Sequence, residues 1–193
     1  MADAREVLVC VNRSSGAGSR GDKEAEEIGE AFAATGMKVR VELLAGGGIA
    51  EHAQRAADEG AKLVIVGGGD GSVSAAAAAL AGTDTALGVL PLGTLNHFAR
   101  DLGMPLDLKE AAKVIATGKP RAVDVAEVNG RTFINNSAIG LYPLMVIDRD
   151  LQRKRLGRSK RLAMLVASAR TLARFGKYRL ALTVNDRKAV IDT

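Results

Sequence analysis

Residues 62–72 read Lys-Leu-Val-Ile-Val-Gly-Gly-Gly-Asp-Gly-Ser, and this stretch decides the fold. Lys62–Val66 is apolar after its first residue and shows no polar alternation, the pattern of a strand covered on both faces. It runs straight into glycines, and the alanine-rich segment Val73–Ala81 behind them has strong helix propensity. Strand, glycine loop and helix in that order place the loop at the carboxyl end of a parallel strand, where open α/β sheets hold their ligands.

The same alternation extends in both directions. Upstream, Val7–Val11 is a second apolar run, followed by the Ser/Gly-rich loop Asn12–Gly21 and a helical segment that Asp22 caps and Gly36 ends. Lys38–Leu44 reads as a strand, Gly46–Gly48 breaks it, and Ile49–Glu59 is helical. Downstream, Ala86–Leu90 is a strand stopped at Pro91. The order β-α-β-α-β-α-β argues for a parallel sheet with covered faces.

After Pro120 the pattern changes. Ala122–Val128 and Thr132–Asn136 flank Asn129-Gly130, a strong hairpin signal. Tyr178–Val184 and Lys188–Ile191 form a second pair around Asn185-Asp186, and Lys160–Phe175 between them is apolar at helical spacing. The expected division is therefore an α/β nucleotide-binding domain over residues 1–120 and a β-rich domain over 121–193 with a basic helical insertion. Residue Thr193 is reached in strand-like sequence, and an antiparallel sheet cut there exposes an edge. The second domain is expected to be incomplete.

Composition narrows the classes. A hydrophobic share of 47% argues against disorder, and 3% aromatics without Trp calls for an aliphatic core. Scarce aromatics also argue against a nucleic-acid partner, which would need stacking. The single Cys10 excludes a disulfide framework and points to a reducing compartment, with the thiol a buried small hydrophobe. No signal peptide is visible, and no stretch approaches the roughly 20 apolar residues of a membrane span. The expected location is cytoplasmic, with peripheral contact on the inner membrane surface. The net charge of +5 is concentrated at Arg149, Arg153, Lys154, Arg155, Arg158, Lys160 and Arg161, against Asp148 and Asp150. Such a cluster attracts anionic lipid headgroups, and the plainer reading is a solvated basic face.

Three loops carry the chemistry. Gly67, Gly68, Gly69, Asp70, Gly71 and Ser72 offer close backbone approach and a helix N-terminus, which suit phosphates. No Gly-Lys-Ser/Thr follows, so this is not a Walker A loop. Asp70 would repel a phosphate unless a cation bridges them or it serves another group, so Mg²⁺ coordination or proton abstraction suits it. The plainer role is a helix cap. Gly16-Ala17-Gly18-Ser19-Arg20-Gly21, with Glu42 in the second strand, spells a dinucleotide fingerprint, but Asn12–Ser15 separate it from its strand. The third loop is Pro91–Arg100, where Gly93 allows close approach and Thr94 and Asn96 bring a hydroxyl and an amide to the other loops. Arg100 can neutralise phosphate or pair with Asp101.

Taken in order, Asn12–Gly18, Gly68–Ser72 and Pro91–Arg100 (P-L-G-T-L-N-H-F-A-R) resemble the diacylglycerol kinase catalytic domain family, which includes sphingosine and bacterial lipid kinases. Asp124 in V-D-V-A-E-V and Phe133–Gly140 (F-I-N-N-S-A-I-G) match as well. The resemblance implies a Rossmann-like α/β domain followed by part of an antiparallel β-sandwich, and transfer of the γ-phosphoryl of ATP to a lipid hydroxyl. It implies ATP phosphates on Gly67–Ser72 and Thr94 with Asn12, Ser15, Gly16, Gly93 and Asn96 nearby, and Asp70 and Asp124 in a Mg²⁺-associated centre with Asp70 catalytic. Departures are Arg13 for the family's Pro, Leu43 for a Thr, Ser74-Ala75 for Asn-Glu, and His97 where an acid is usual. Later sandwich segments, including a Gly-rich loop and an acidic element, do not follow. An NAD kinase shares the G-G-D-G element but not the third segment, and a catalytically incomplete nucleotide-binding module shares every motif present.

Overall fold

The structure, a computed structural model, describes residues 6–13, 21–45, 47–138, 140–157, 159–174, 176, 179–184 and 187–192. Strands β1 (Val7–Asn12), β2 (Val39–Leu44), β3 (Leu63–Gly68) and β4 (Ala86–Pro91) form one sheet in the order β2-β1-β3-β4. All neighbouring strands are parallel. Helices α1 (Gly21–Ala33), α2 (Gly48–Asp58), α3 (Asp70–Leu80), α4 (His97–Asp101) and α5 (Leu108–Thr117) complete this part.

The apolar runs explain the layers. In β1, Val9 and Val11 point to one face, where they join Ile28 and Phe32 of α1 and Ala111 and Ala112 of α5. Cys10 points to the other, with Ile49 and Ala53 of α2 and Ala76 and Leu80 of α3. A strand sandwiched in this way needs apolar residues at successive positions, which is why alternation is missing. Burial, and then the charge of Glu42, push the Cys10 thiol up to about 11, so it stays neutral and unreactive at ordinary pH.

Two boundaries differ instructively from the sequence reading. Gly67 and Gly68 are not loop: they extend β3 and pair with Leu90 and Pro91 of β4. The helix behind them begins at Asp70 rather than Val73, so the connection shrinks to Gly69. Glycines read as breakers, but here the backbone ladder continues through them because the neighbouring strand supplies partners. Asp22 likewise lies in the first turn of α1 instead of capping it.

The first compact unit runs on to Asn136. It includes the hairpin β5 (Ala126–Val128) and β6 (Arg131–Phe133), which pair antiparallel. Asn129 and Gly130 at its turn have φ of 49° and 74°, as a type I′ turn requires. Residues 122–125, expected as strand, are unpaired. Ile134, just past β6, packs on Val73, Val89, Phe98 and Ala99, which draws the segment after the hairpin onto α3 and α4.

The second unit begins at Ser137. Helices α6 (Leu141–Leu156) and α7 (Lys160–Arg174) pack on each other, and β7 (Arg179–Val184) pairs antiparallel with β8 (Arg187–Asp192). Among the described residues of the α6–α7 pair Gln152, Ala163 and Ala167 are buried, Met145, Val146, Met164 and Val166 are half-buried, and Leu144, Ile147, Leu151, Leu162, Leu165 and Leu172 are exposed. Gln152 Nε2 donates to Asp148 Oδ2 at 2.7 Å, and Arg170 lies 3.5 Å from Asp148 Oδ1. No helix among the described residues is long and apolar enough to cross a membrane.

Candidate functional site

The strand order makes β1 and β3 neighbours from which the chain departs in opposite directions, to β2 on one side and β4 on the other. Their carboxyl ends flank the switch point, where the sheet leaves a crevice for a ligand. Asn12 ends β1 and Gly68 ends β3 there. Asn12 Nδ2 donates to Ser72 Oγ at 2.9 Å, joining the end of β1 to the first turn of α3.

The loops after β3 and β4 touch through bare backbone. A Cβ built on Gly93 would lie 2.3 Å from Gly69 Cα and 2.7 Å from Asn96 Oδ1, closer than any side chain can stand. One on Gly68 would lie 2.7 Å from the Ser72 side chain. These glycines are present because the two loops and α3 occupy the same small space. Gly69 is the N-cap of α3 and no side chain caps the helix, so its opening turn presents amides and a positive dipole end at the crevice.

Asp70 does not cap its own helix. Its Oδ1 accepts from the Phe98 N–H at 3.1 Å and from Asn135 Nδ2 at 3.2 Å. The carboxylate therefore ties three segments together: α3, the start of α4, and the stretch after β6. Partial burial pushes its pKa up, but the hydrogen bonds from Phe98, His97 and Asn135 outweigh this and hold it below the usual carboxylate value. Asp70 is consequently ionised at neutral pH.

Asn96 takes a left-handed backbone with φ of 51° and is buried. Its Oδ1 accepts from the Gly93 N–H at 3.0 Å, and Nδ2 donates to the carbonyls of Pro91 (3.1 Å) and Gly93 (2.8 Å). Both amide protons are engaged by the loop itself, so Asn96 acts by shaping that loop. Thr94 and His97 are exposed at its surface. Arg100 Nε donates to the Leu95 carbonyl at 3.0 Å.

Not every expected residue is brought in. Ser15 and Gly16 lie outside the described residues, as does most of the 16–21 glycine pattern. Asp124 is exposed in the unpaired stretch before β5. Glu42 lies 3.3 Å from Arg40 and 3.5 Å from His52. The sequence marks the segment around Asn135 but not the residue, since nothing local distinguishes it from Asn136.

No group of three or more acidic, His or Cys side chains lies together among the described residues. Mg²⁺, however, commonly takes one or two carboxylates and completes its shell with substrate phosphates and water. An ionised Asp70 beside an amide-rich loop fits an ion shared with a nucleotide and does not fit a cage built from protein alone.

The family model for the diacylglycerol kinase catalytic domain matches residues 6–128. The chain is 44% identical over 111 residues to the "Probable lipid kinase YegS-like" of Cronobacter sakazakii, covering 55% of this chain and 37% of that protein. It is 34% identical over 148 residues to the "Probable lipid kinase YegS" of Escherichia fergusonii, covering 72% of this chain and 47% of that one. A crystal structure of a diacylglycerol kinase from Bacillus anthracis str. Sterne superposes with a TM-score of 0.69 at 28% identity, over 97% of this chain and 61% of that chain. The chain thus spans less than half the length of these two curated relatives.

Proposed function

The chain belongs to the diacylglycerol kinase catalytic domain family, and from that premise we propose that it serves ATP-dependent phosphorylation of a lipid hydroxyl, on a diacylglycerol or sphingoid-type acceptor. The observation that carries this reading is the contact of Gly69 with Gly93 at the switch point, which sets two backbone loops and the uncapped end of α3 around one crevice.

In this reading the ATP phosphates rest on the amides of Gly67–Ser72, with Asn12, Ser15, Gly16, Gly93 and Thr94 around them. Asn96 contributes through the loop it holds. The lipid hydroxyl oxygen attacks the γ-phosphorus, the bond to the β–γ bridging oxygen breaks, ADP leaves, and the hydroxyl proton is released to solvent. Such a transfer depends on positioning and charge neutralisation. Mg²⁺, when bound with the nucleotide, would supply part of that neutralisation, held by Asp70 and, on the strength of the resemblance, Asp124. A carboxyl with a lowered pKa is a weak proton acceptor, so the environment of Asp70 favours a role as metal partner over one as general base.

The test is ATP–Mg²⁺ titration calorimetry on the full chain, followed in the same preparation by labelled-phosphate transfer to a lipid panel, with NAD as a separate acceptor. Binding with lipid transfer supports the proposal, and Asp70→Asn should then abolish transfer while leaving the circular dichroism spectrum unchanged. Transfer to NAD instead, or no binding by a folded chain, would overturn it. Binding without transfer to any acceptor would leave a nucleotide-binding module.

A further inference from the structure

Asp70 stands at the first position of α3, where a carboxylate commonly turns back onto the amides of its own helix. Here it is drawn to donors on two other segments, the Phe98 N–H at 3.1 Å and Asn135 Nδ2 at 3.2 Å, and both fall on the same oxygen, Oδ1. The two donors differ in kind. The Phe98 N–H is backbone and comes with α4 whatever the side chain at 98. The Asn135 amide is a side chain, 65 positions further along the chain, that can be removed on its own.

Its place follows from the packing beside it. The turn at Asn129-Gly130 returns the chain through β6, and Ile134 then packs on Val73, Val89, Phe98 and Ala99. Val73 lies three residues beyond Asp70 on the same helix, so the contacts that hold Ile134 also bring the next residue, Asn135, to the carboxylate. Asn135 itself is exposed, and its removal leaves no cavity.

A second donor fixes what one leaves open. The terminal torsion of an Asp is broad, so a single hydrogen bond lets the carboxylate swing about it. Two donors from different segments, sharing Oδ1, set the plane of the group without using Oδ2. An ionised carboxylate only accepts, so the side of the amide that meets it is the nitrogen. Being neutral, that amide orients the carboxylate without adding a positive charge that would compete with a cation.

We infer that Asn135 is a positioning residue for the metal–nucleotide complex, holding the Asp70 carboxylate in the orientation in which it meets Mg²⁺ bound with ATP. The inference rests on the proposed role of Asp70 as metal partner, and it extends the site to the segment after β6. The neighbouring Asn136 has the same side chain and is also exposed, yet it is Asn135 that reaches Asp70, which makes Asn136 the natural control.

Titration calorimetry on the full chain tests it, with ATP in EDTA against ATP in excess Mg²⁺, so that the gain due to the metal is read apart from nucleotide binding itself. Asn135→Ala should weaken binding in Mg²⁺ about tenfold, the lower end of what partners orienting a metal-bound group contribute, and leave binding in EDTA unchanged. Asn136→Ala should match the parent in both, and both variants should keep its circular dichroism spectrum. Equal weakening of Asn135→Ala in EDTA and in Mg²⁺ would give the residue a purely structural role and overturn the inference. So would parent-like binding of Asn135→Ala in Mg²⁺, or an equal loss in Asn136→Ala. Asp70→Asn separates this failure from that of the underlying role. If Asp70→Asn loses the gain from Mg²⁺ while Asn135→Ala keeps it, the inference alone falls. If Asp70→Asn keeps that gain, or the parent shows none, the metal-partner role of Asp70 falls and the inference falls with it.

Discussion

The sheet unit and the α6–α7 pair use apolar residues in opposite ways. In the first, Ile28, Phe32, Ile49, Ile65 and Leu90 are sealed between helices and strands, and the loops after β3 and β4 meet through backbone. In the second, the most buried side chains are two alanines and a glutamine held in a polar network, while Leu144, Leu151, Leu162, Leu165 and Leu172 are exposed. Side chains in the sheet unit act by excluding water so that glycine amides hold their positions. Those on the outside of the helix pair are already exposed, so losing an aliphatic group should damage stability in the first unit and leave it nearly unchanged in the second.

The sharpest way to break this contrast is Phe32→Ala. Phe32 is fully buried against the sheet, so the variant should lose about 3–5 kcal/mol in urea unfolding. A loss below about 1 kcal/mol would mean that the core is not organised around α1. Next comes Gly93→Ala, where the added methyl would meet Gly69 Cα at 2.3 Å. Forced separation of the loops should cost about 1–3 kcal/mol and abolish nucleotide binding by calorimetry. Gly71→Ala is the control: nothing lies within 4 Å of its Cβ position, so stability should hold or rise slightly.

A smaller effect is expected from acid. The folded-state pKa of Asp70 is depressed, so its contribution to stability is present above the ordinary carboxylate value of 3.8 and is lost as pH falls through the folded value. Asp70→Asn should flatten the fall in stability below that pH, and an acid limb identical to the parent's would remove Asp70 from the set of stabilising carboxylates. The smallest effect should be Leu165→Ala, within about 0.5 kcal/mol of the parent because the side chain is already exposed. A loss comparable to that of Phe32→Ala would show that the helix pair hides its leucines in solution.

How far the sequence is legible follows from the range of each interaction. The four parallel strands can be read because apolar runs without alternation, such as Val64–Val66, fit little besides a strand covered on both faces. The extension of β3 through Gly67 and Gly68 cannot, because their pairing partners stand on β4 and glycine reads locally as a break. The Asp70–Asn135 bond spans 65 positions, and no local pattern predicts it. Asn96 is legible as a loop residue but not as one engaged by its own loop, since an amide offered to a ligand and one folded onto its neighbours look alike until φ is known. For α7, spacing reveals an apolar face but not whether that face is covered, and α6 is not legible as a helix at all, since Arg149–Arg155 stand out in it as a basic run rather than as part of an apolar stripe.

The touching backbones of Gly69 and Gly93 have a consequence for anyone reshaping this crevice. The two loops lie on different strands, yet they share a single gap with room for no side chain on Gly93. A library that diversifies the β4 loop one position at a time should return glycine at 93 from nearly every surviving clone. Escape would require paired changes in which the β3 loop retreats at the same step. Ligand preference in this fold is thus expected to evolve through the rims of the loops, at exposed Thr94, Leu95 and His97, while the point where they cross stays still.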